Sequence, residues 1–471
     1  MAIGVGHRDR HVRGRRHRPT PPVRGPPQAL VTEGADAMEQ IAMKRRTFVT
    51  GALGLAAAIG LSGCTGAAGG PSSNTQNGKK TLTVAVWSYA TTPEFKALFD
   101  AFQVANPDIA IQPVDILAAD YQAKITTMLA GGDTTDLIAV KNVTDYSQYT
   151  RRGQLADLTD VVKKQLPGNE LANLDAYELN GKYFAAPYRS DFWVLFYNKT
   201  LFDKAGVPSP GNITWDQYAD LAKKLTTGTT SSGQKVYGAY QHTWRSVVQA
   251  ISAAQTGGNL IGGDYAFFTP RYQMTLDLQK AGSIMDYATA KNNKTSYNSV
   301  FQAGQVAMMP MGSWQIAPLL ADKAAGKTNV EWAIAPMPQP QSGGQITTFG
   351  SPTAFAVNKK SENAEAAQRF IAFAAGDQGA RAISAVGIVP ALQNAAVTDG
   401  YFANKGMPND GLSKTAFQPG SVGLEMPVNP ISSKVDTILT EQHDLIMTGQ
   451  KSIADGIAEM NSRVKPVIAS Q

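Results

Sequence analysis

The sequence predicts an α/β fold built on a parallel sheet and divided into two or three lobes. At 471 residues the chain exceeds what one core of roughly 150 residues accounts for. Its 43% hydrophobic and 17% charged composition is that of a packed globular protein rather than a disordered one. Between Thr81 and Val140 the apolar pattern runs strand, helix, strand, helix, strand, an order that gives right-handed crossovers and parallel strands.

The first 42 residues are rich in Arg, His and Pro and hold three of the five histidines. They read as a basic leader, 1–42, upstream of a start at Met43 and not translated, with a basic disordered arm as the alternative. Residues 43–63 follow the plan of an export signal: charged Lys44-Arg45-Arg46, a Gly/Ala-rich apolar stretch from Thr47 to Gly60, then Leu61-Ser62-Gly63 before Cys64. The stretch is shorter than the ~20 residues that span a bilayer. Arg45-Arg46-Thr47-Phe48-Val49 resembles the twin-arginine export motif, and Leu61-Ser62-Gly63-Cys64 resembles a bacterial lipobox, whose cysteine is lipidated. Cys64 is the only cysteine, so the body has no disulfide and no cysteine-based metal site. Residues 64–79 read as a flexible tether. The expected location is extracytoplasmic, at the outer face of the cytoplasmic membrane. The anchor is lipid on Cys64, because each buried methylene contributes about 0.8 kcal/mol and two or more chains hold firmly.

The formal net charge of +6 belongs to the leader. Residues 1–42 carry seven Arg against four acids, Lys44–Arg46 add three cations, and from Cys64 onward 33 basic residues balance 33 acidic ones. A neutral body has no electrostatic footprint for a phosphate backbone, so no nucleic-acid partner is expected.

The body opens with the alternating, β-branched strand Thr81–Trp87. Thr92 with Pro93 behind it marks a helix start. Phe95, Leu98, Phe99 and Phe102 then lie on one face, and Asn106-Pro107 ends the helix. Ile109–Val114 is a second strand, Tyr121, Ile125 and Met128 mark a second helix, and Leu137–Val140 is a fully apolar strand with both faces covered. Ligands of open α/β sheets sit beyond the strands' carboxyl ends, here Trp87-Ser88-Tyr89 and Lys141-Asn142. Lys182–Tyr188 and Phe192–Tyr197 read as two strands with Pro187 between. Thr214-Trp215-Asp216-Gln217 is a capping box, its cap worth roughly 1 kcal/mol, for a helix with Trp215, Tyr218, Ala222 and Leu225 inward. A mostly helical stretch to about Lys280 follows, then short strands at Val306–Met309, Val330–Ile334 and Ala354–Val357. Helices close the chain, one with Ala367, Phe370, Ile371 and Ala374 inward and a last pair after Ser432.

Enzyme signatures fail one by one. No HExxH or GxSxG occurs, His242 and His443 are too far apart in sequence to propose as zinc ligands, and Ala321 stands where a P-loop before Gly326-Lys327-Thr328 needs glycine. No metal, cofactor or catalytic residue is expected. What survives is aromatic. Six tryptophans occur, and three sit at polar junctions: Trp193 beside Asp191, Trp244 beside His242, and Trp314 after Gly312-Ser313. A sugar offers a flat C–H face and a rim of hydroxyls, which call for aromatic plates and orienting polar groups. Trp215 and Trp332 read as core.

Several blocks fall in a specific order. They are Gly181-Lys182-Tyr183-Phe184-Ala185-Ala186-Pro187-Tyr188, Phe196-Tyr197-Asn198-Lys199, Thr214-Trp215-Asp216, Phe301-Gln302-Ala303-Gly304-Gln305-Val306-Ala307-Met308 running into Gly312-Ser313-Trp314, and Gly387-Ile388-Val389-Pro390. On these, the chain from about Lys80 to its C-terminus resembles the extracellular solute-binding protein family of ABC importers that includes maltose-binding protein. The resemblance implies a two-lobe, periplasmic-binding-protein-like α/β fold with a ligand cleft between the lobes and several hinge crossings. Residues 80–189 and 312–355 would form the N-terminal lobe, and 190–311 and 356–471 the C-terminal lobe. It implies a monomer that binds a small carbohydrate and delivers it to the permease subunits of an ABC transporter. Asp191 would be the hinge carboxylate accepting sugar hydroxyls, Trp314 the stacking plate, Ser88, Tyr89 and Asn142 rim contacts, and His242 and Trp244 an aromatic patch of the second lobe; Trp193 joins the candidate ligand-binding set from its own place beside Asp191. Gly350 and Ser351 would approach ligand at a crossing. A non-sugar solute such as a phosphate ester or polyamine, and an extracytoplasmic glycosidase, are the alternatives.

Overall fold

The computed structural model of the chain describes residues 75–76 and 78–470; the leader 1–42, the segment 43–63, Cys64 and the tether as far as residue 74 lie outside the described residues. The tether reading needs correction at its end. Strand β1 (Thr75–Gln76) pairs antiparallel with the start of β2 (Lys79–Trp87), Thr75 opposite Lys80. Asn77-Gly78 is a two-residue hairpin signal that a reading by composition passes over, and Gly78 holds φ 77°.

The first lobe follows its sequence pattern closely. Helix α1 (Pro93–Ala105) buries Phe95, Leu98, Phe99 and Phe102. Thr92 precedes it without capping, because its hydroxyl donates backward to the carbonyls of Trp87 and Ser88. Then come β3 (Ile109–Ile116), α2 (Tyr121–Gly131) and the wholly buried β4 (Leu137–Val140). β2 runs parallel to both β3 and β4. Helix α3 (Val143–Arg151) starts at Asn142, whose Oδ1 accepts from the Asp145 amide at 3.0 Å.

Lys182–Tyr188 and Phe192–Tyr197 are not two strands with a break at Pro187. The break falls earlier: Lys182–Tyr183 pairs antiparallel with Glu178–Leu179 in a small separate ribbon, and one long strand, β5 (Ala186–Asn198), runs through Pro187. In the second lobe α4 (Trp215–Lys224) begins with the capping box at Thr214 and buries Trp215, Tyr218 and Ala222. The stretch expected to be helical up to Lys280 holds β6 (Tyr237–Ala239). β7 (Val306–Gly312), β8 (Trp332–Ala335) and the long β9 (Thr347–Val357) follow. Then come α5 (Ala364–Ala375), β10 (Ser421–Leu424), α6 (Ser432–Met447) and α7 (Ile453–Ala469). One ten-stranded sheet has the order β1-β2-β4-β9-β5-β7-β6, with β3 on β2, β8 on β5 and β10 on β9.

This sheet feeds two apolar cores. One gathers Leu82–Tyr188 with Ala354–Val397, the other Phe192–Phe349 with Tyr401–Val464, apart from Ala317 and Val389, which each side with the opposite core. The expected lobe boundaries are therefore corrected. Residues 312–349 stay in the second lobe, because Trp332–Ala335 pairs with Leu195–Asn198 and buries its side chains there. The chain returns to the first lobe where β9 crosses, and residues 356–397 remain in it, with Ala366, Phe370 and Ile371 in its core and Phe370 edge-on to Phe99 and Phe102. It returns to the second lobe between Val397 and Tyr401. An internal strand pairing decides the matter, and sequence spacing alone does not reveal it.

Candidate ligand-binding cleft

Where β5 and β9 pass side by side from one core to the other, alternate side chains face opposite ways. Arg189 and Asp191 face a cavity of about 780 Å³. Ser190 and Phe192 face a smaller one of about 380 Å³ on the other side. The larger cavity is walled by both lobes and falls within the range of small-ligand sites.

The first-lobe wall comes from the carboxyl ends of β2 and β4, with the first turn of α1: Trp87, Ser88, Thr91, Thr92, Glu94, Lys141 and Asn142. Ser88 has φ 45° and ψ 52°, a left-handed backbone uncommon for a non-glycine residue and a frequent companion of function. Its Oγ accepts from the Ala118 amide at 3.1 Å, so its proton remains able to donate. Trp87 is buried, its ring edge-to-face with Phe95 and Tyr121, and Lys141 Nζ lies 5.4 Å from the ring centroid.

The second-lobe wall is aromatic. Trp244, Trp314 and Tyr297 line the cavity. Trp244 is 40% exposed and stands 6.1 Å from Trp314 at 59° and 5.8 Å from Tyr297. The two indoles form a corner, each with a separate face to offer. Gly312 makes the Trp314 pose possible: a Cβ there would come within 2.1 Å of the indole. Trp193, 1% exposed, is the layer beneath, edge-on to Trp244 and Trp314 and stacked on Phe349 at 4.8 Å. His242 also supports from behind, 4.3 Å from Trp244, with Nδ1 3.0 Å from the Tyr240 hydroxyl. Burial pulls its imidazole down to about 4, so it is neutral at pH 7.

Between the walls lies an ionic floor. Arg189 contacts Glu94 and forms an ion pair with Asp191 (Nε to Oδ2, 2.6 Å) that lacks hydrogen-bond alignment. Asp191 Oδ1 accepts from Ser313 Oγ at 2.7 Å. Burial opposes the guanidinium's charge, but Asp191 and Glu94 outweigh it and hold its pKa above the usual value. Burial raises Glu94 despite Arg189 beside it. Across the cavity Arg245 bonds Asp436 at 2.5 Å, Lys291 pairs with Asp444, and Glu425 takes the Ser246 hydroxyl. The lining thus carries four cations and five carboxylates, close to neutral and without a free arginine cluster.

Of the residues singled out by sequence, Ser88, Asn142, Asp191, Trp244, Trp314 and Ser351 line this one cavity. Four do not. Tyr89 turns away to stack on Phe99 at 5.9 Å. Trp193 and His242 lie one layer back. Gly350 is wedged against β5, where a Cβ would meet the Asp191 carbonyl at 2.2 Å, so its smallness serves strand crossing rather than ligand. Asp191 is on the lining but only 1% exposed, committed to Arg189 and Ser313. Asn142 has its Oδ1 occupied by the Asp145 amide and the Thr144 hydroxyl. Sequence reasoning missed Glu94, Arg189, Tyr297, Arg245 and Asp436. Two of these had a signal: Arg189 stands two residues before Asp191 and so on the same strand face, and Arg245 directly follows Trp244 at its polar junction.

The chain is similar to known proteins both in sequence and in fold. The profile of bacterial extracellular solute-binding proteins matches residues 89–381. The chain is 26% identical over 451 residues to the diacetylchitobiose binding protein of Streptomyces coelicolor, covering 88% of this chain and 99% of that one. It is 23% identical over 337 residues to a multiple sugar-binding protein of Streptococcus mutans, covering 68% and 77%. Among solved structures it is similar to a sugar transporter from Rhizobium etli in an open conformation, with a TM-score of 0.70 and 39% identity over 82% of this chain and 99% of that one.

Proposed function

This chain belongs to the bacterial extracellular solute-binding protein family, and from that premise we propose that it captures a saccharide in the interlobe cleft and delivers it to the permease of an ABC importer. It is an extracytoplasmic binding protein and not an enzyme, so the glycosidase alternative falls. The observation that carries the saccharide reading is the corner of Trp244 and Trp314 with Tyr297 beside it, facing a first-lobe wall of hydroxyl, amide and ammonium groups. Flat rings cover the C–H faces of a sugar and the polar wall answers its hydroxyls. The proposed ligand-facing set is Ser88, Lys141, Asn142, Trp244, Tyr297, Trp314 and Ser351. The balance of four cations and five carboxylates on the lining, with both arginines held by carboxylates, weighs against a phosphate ester. Lipid on Cys64 is the proposed anchor, supported by the lipobox-like Leu61-Ser62-Gly63-Cys64. Calorimetry against mono- and oligosaccharides, polyamines and sugar phosphates tests the reading. Micromolar binding of a saccharide, about 8 kcal/mol, is expected; binding only of a polyamine or phosphate ester would overturn it. Retention of a Cys64→Ser protein in the membrane fraction would overturn the anchor.

A further inference from the structure

The cleft holds four cations, and three have carboxylate partners: Arg189 with Glu94 and Asp191, Arg245 with Asp436, and Lys291 with Asp444. Lys141 has none among the described residues. Its ammonium makes one long hydrogen bond, to the Ala118 carbonyl at 3.3 Å, and lies over the Trp87 ring at 5.4 Å. Neither contact neutralises it, and the half-buried ammonium, whose charge burial disfavours, is left facing the cavity without a counter-charge.

Lys141 stands directly after β4, next to Asn142 and near Trp87 and Ser88 at the end of β2. Those two carboxyl ends form the polar wall on the first-lobe side of the cavity. The charges that reach it most strongly after burial are Arg189, which repels it, and Asp145, which attracts it. Asp145 is a poor counter-ion: its carboxylate is engaged by Gln122, and burial pushes its pKa up to about 7. Lys141 is therefore the one cation on this lining without a carboxylate partner among the described residues.

Resting on the saccharide reading above, we propose that the ligand supplies that partner, that it is an acidic saccharide bearing a uronate carboxylate, and that Lys141 is the residue that reads it. One unpaired cation suits a single carboxylate. A phosphate, with up to two charges and a preference for a cluster of donors, finds no second free cation on this lining. Charge-assisted hydrogen bonds are shorter and stronger than neutral ones, so a uronate is expected to bind roughly 10- to 100-fold tighter than the same sugar with a neutral hydroxymethyl group.

The test is calorimetry on the full-length protein with matched pairs of mono- and disaccharides that differ only in hydroxymethyl against carboxylate. The expected result is tighter binding of the uronate member, weakening with added salt. In Lys141→Met the uronate should fall to the level of its neutral counterpart, while Lys141→Arg keeps part of the preference. A neutral sugar binding wild type as tightly as its uronate overturns this inference and leaves the saccharide reading standing. If neither member of any pair binds, the saccharide reading falls and takes this one with it. The wild-type comparison decides even if Lys141→Met does not fold.

Discussion

Trp244→Ala should weaken saccharide binding by one to two orders of magnitude and leave the fold in place. Trp244 keeps 40% of its surface in contact with solvent. Taking the whole side chain as roughly 250 Å², about 100 Å² remains for a ligand to cover. At ~25 cal/mol per Å², covering all of it contributes about 2.5 kcal/mol, and covering one ring face about half as much. The affinity loss is then roughly 10- to 70-fold. The paired control is Trp193→Ala, one layer deeper and 1% exposed, where the loss is in the core and costs about 3–5 kcal/mol of stability. Titration calorimetry with the tightest saccharide from the panel, and urea unfolding of both variants, separate the two roles. A Kd for Trp244→Ala within threefold of wild type, or an unfolding midpoint lowered as far as that of Trp193→Ala, would refute the assignment of Trp244 to the ligand.

Four further outcomes follow from the structure. Arg189→Met leaves Glu94 and Asp191 buried without their cation and should lower stability by about 3–5 kcal/mol, with most of it recovered when Glu94→Gln and Asp191→Asn are added; urea midpoints of the single and triple variants check this. Gly350→Ala drives a Cβ to 2.2 Å from the Asp191 carbonyl and should cost about 1–3 kcal/mol as overpacking at the crossing strands; an unchanged midpoint would remove that explanation for the glycine. Burial holds His443 down at about 3 and His242 at about 4, so their contribution to stability is present above about pH 6.5 and is lost as pH falls through those folded values. At pH 5 the unfolded chain carries a proton on each that the native state lacks, and stability rises with pH by roughly 1.4 kcal/mol per unit for each histidine. His443→Gln should flatten the measured slope by about that amount. Asp145, held up near 7, has the opposite sign, contributing below about pH 4 and losing it as pH rises through 7, so Asp145→Asn should steepen the slope at pH 5.

The parts of the fold legible in the sequence are those in which a local period coincides with burial. Phe95, Leu98, Phe99 and Phe102 have the helical spacing and are all buried, and the capping box at Thr214 is present with both of its hydrogen bonds. The apolar run Leu137–Val140 is a strand buried throughout. The lobe boundaries were not legible because they depend on which distant strand Trp332–Ala335 joins, and its apolar residues would suit either core. Within the site, Trp244 and Trp314 were visible as aromatics beside polar residues, but the same signature marked Trp193, which is buried. One sequence cannot distinguish the outer from the inner layer of an aromatic stack. The ionic floor was invisible for a different reason: Glu94 meets Arg189 across 95 positions and Arg245 meets Asp436 across 191, and no local pattern links them.

Under the proposed function, closure must depend on ligand, and the distribution of side chains explains how it can. The joint is made of β5 and β9, paired through Gly350–Phe192 to Thr353–Arg189, with a register step between Thr353 and Ala354 that leaves Tyr188 as the extra residue. Such a bulge bends and twists a strand locally, which places a break in the regular ladder between the two cores. Glu94 ties Arg189 to the first lobe, whereas Trp193 beneath Trp244 and Trp314 makes the aromatic corner part of the second. The ring faces and the polar wall therefore belong to different bodies. A ligand touching only one wall would gain the same contacts whether the lobes were apart or together, and would shift no equilibrium however tightly it bound. A saccharide, with a C–H face for one wall and hydroxyls for the other, makes its full set of contacts only when both walls reach it, and that difference is the free energy available to hold the lobes shut.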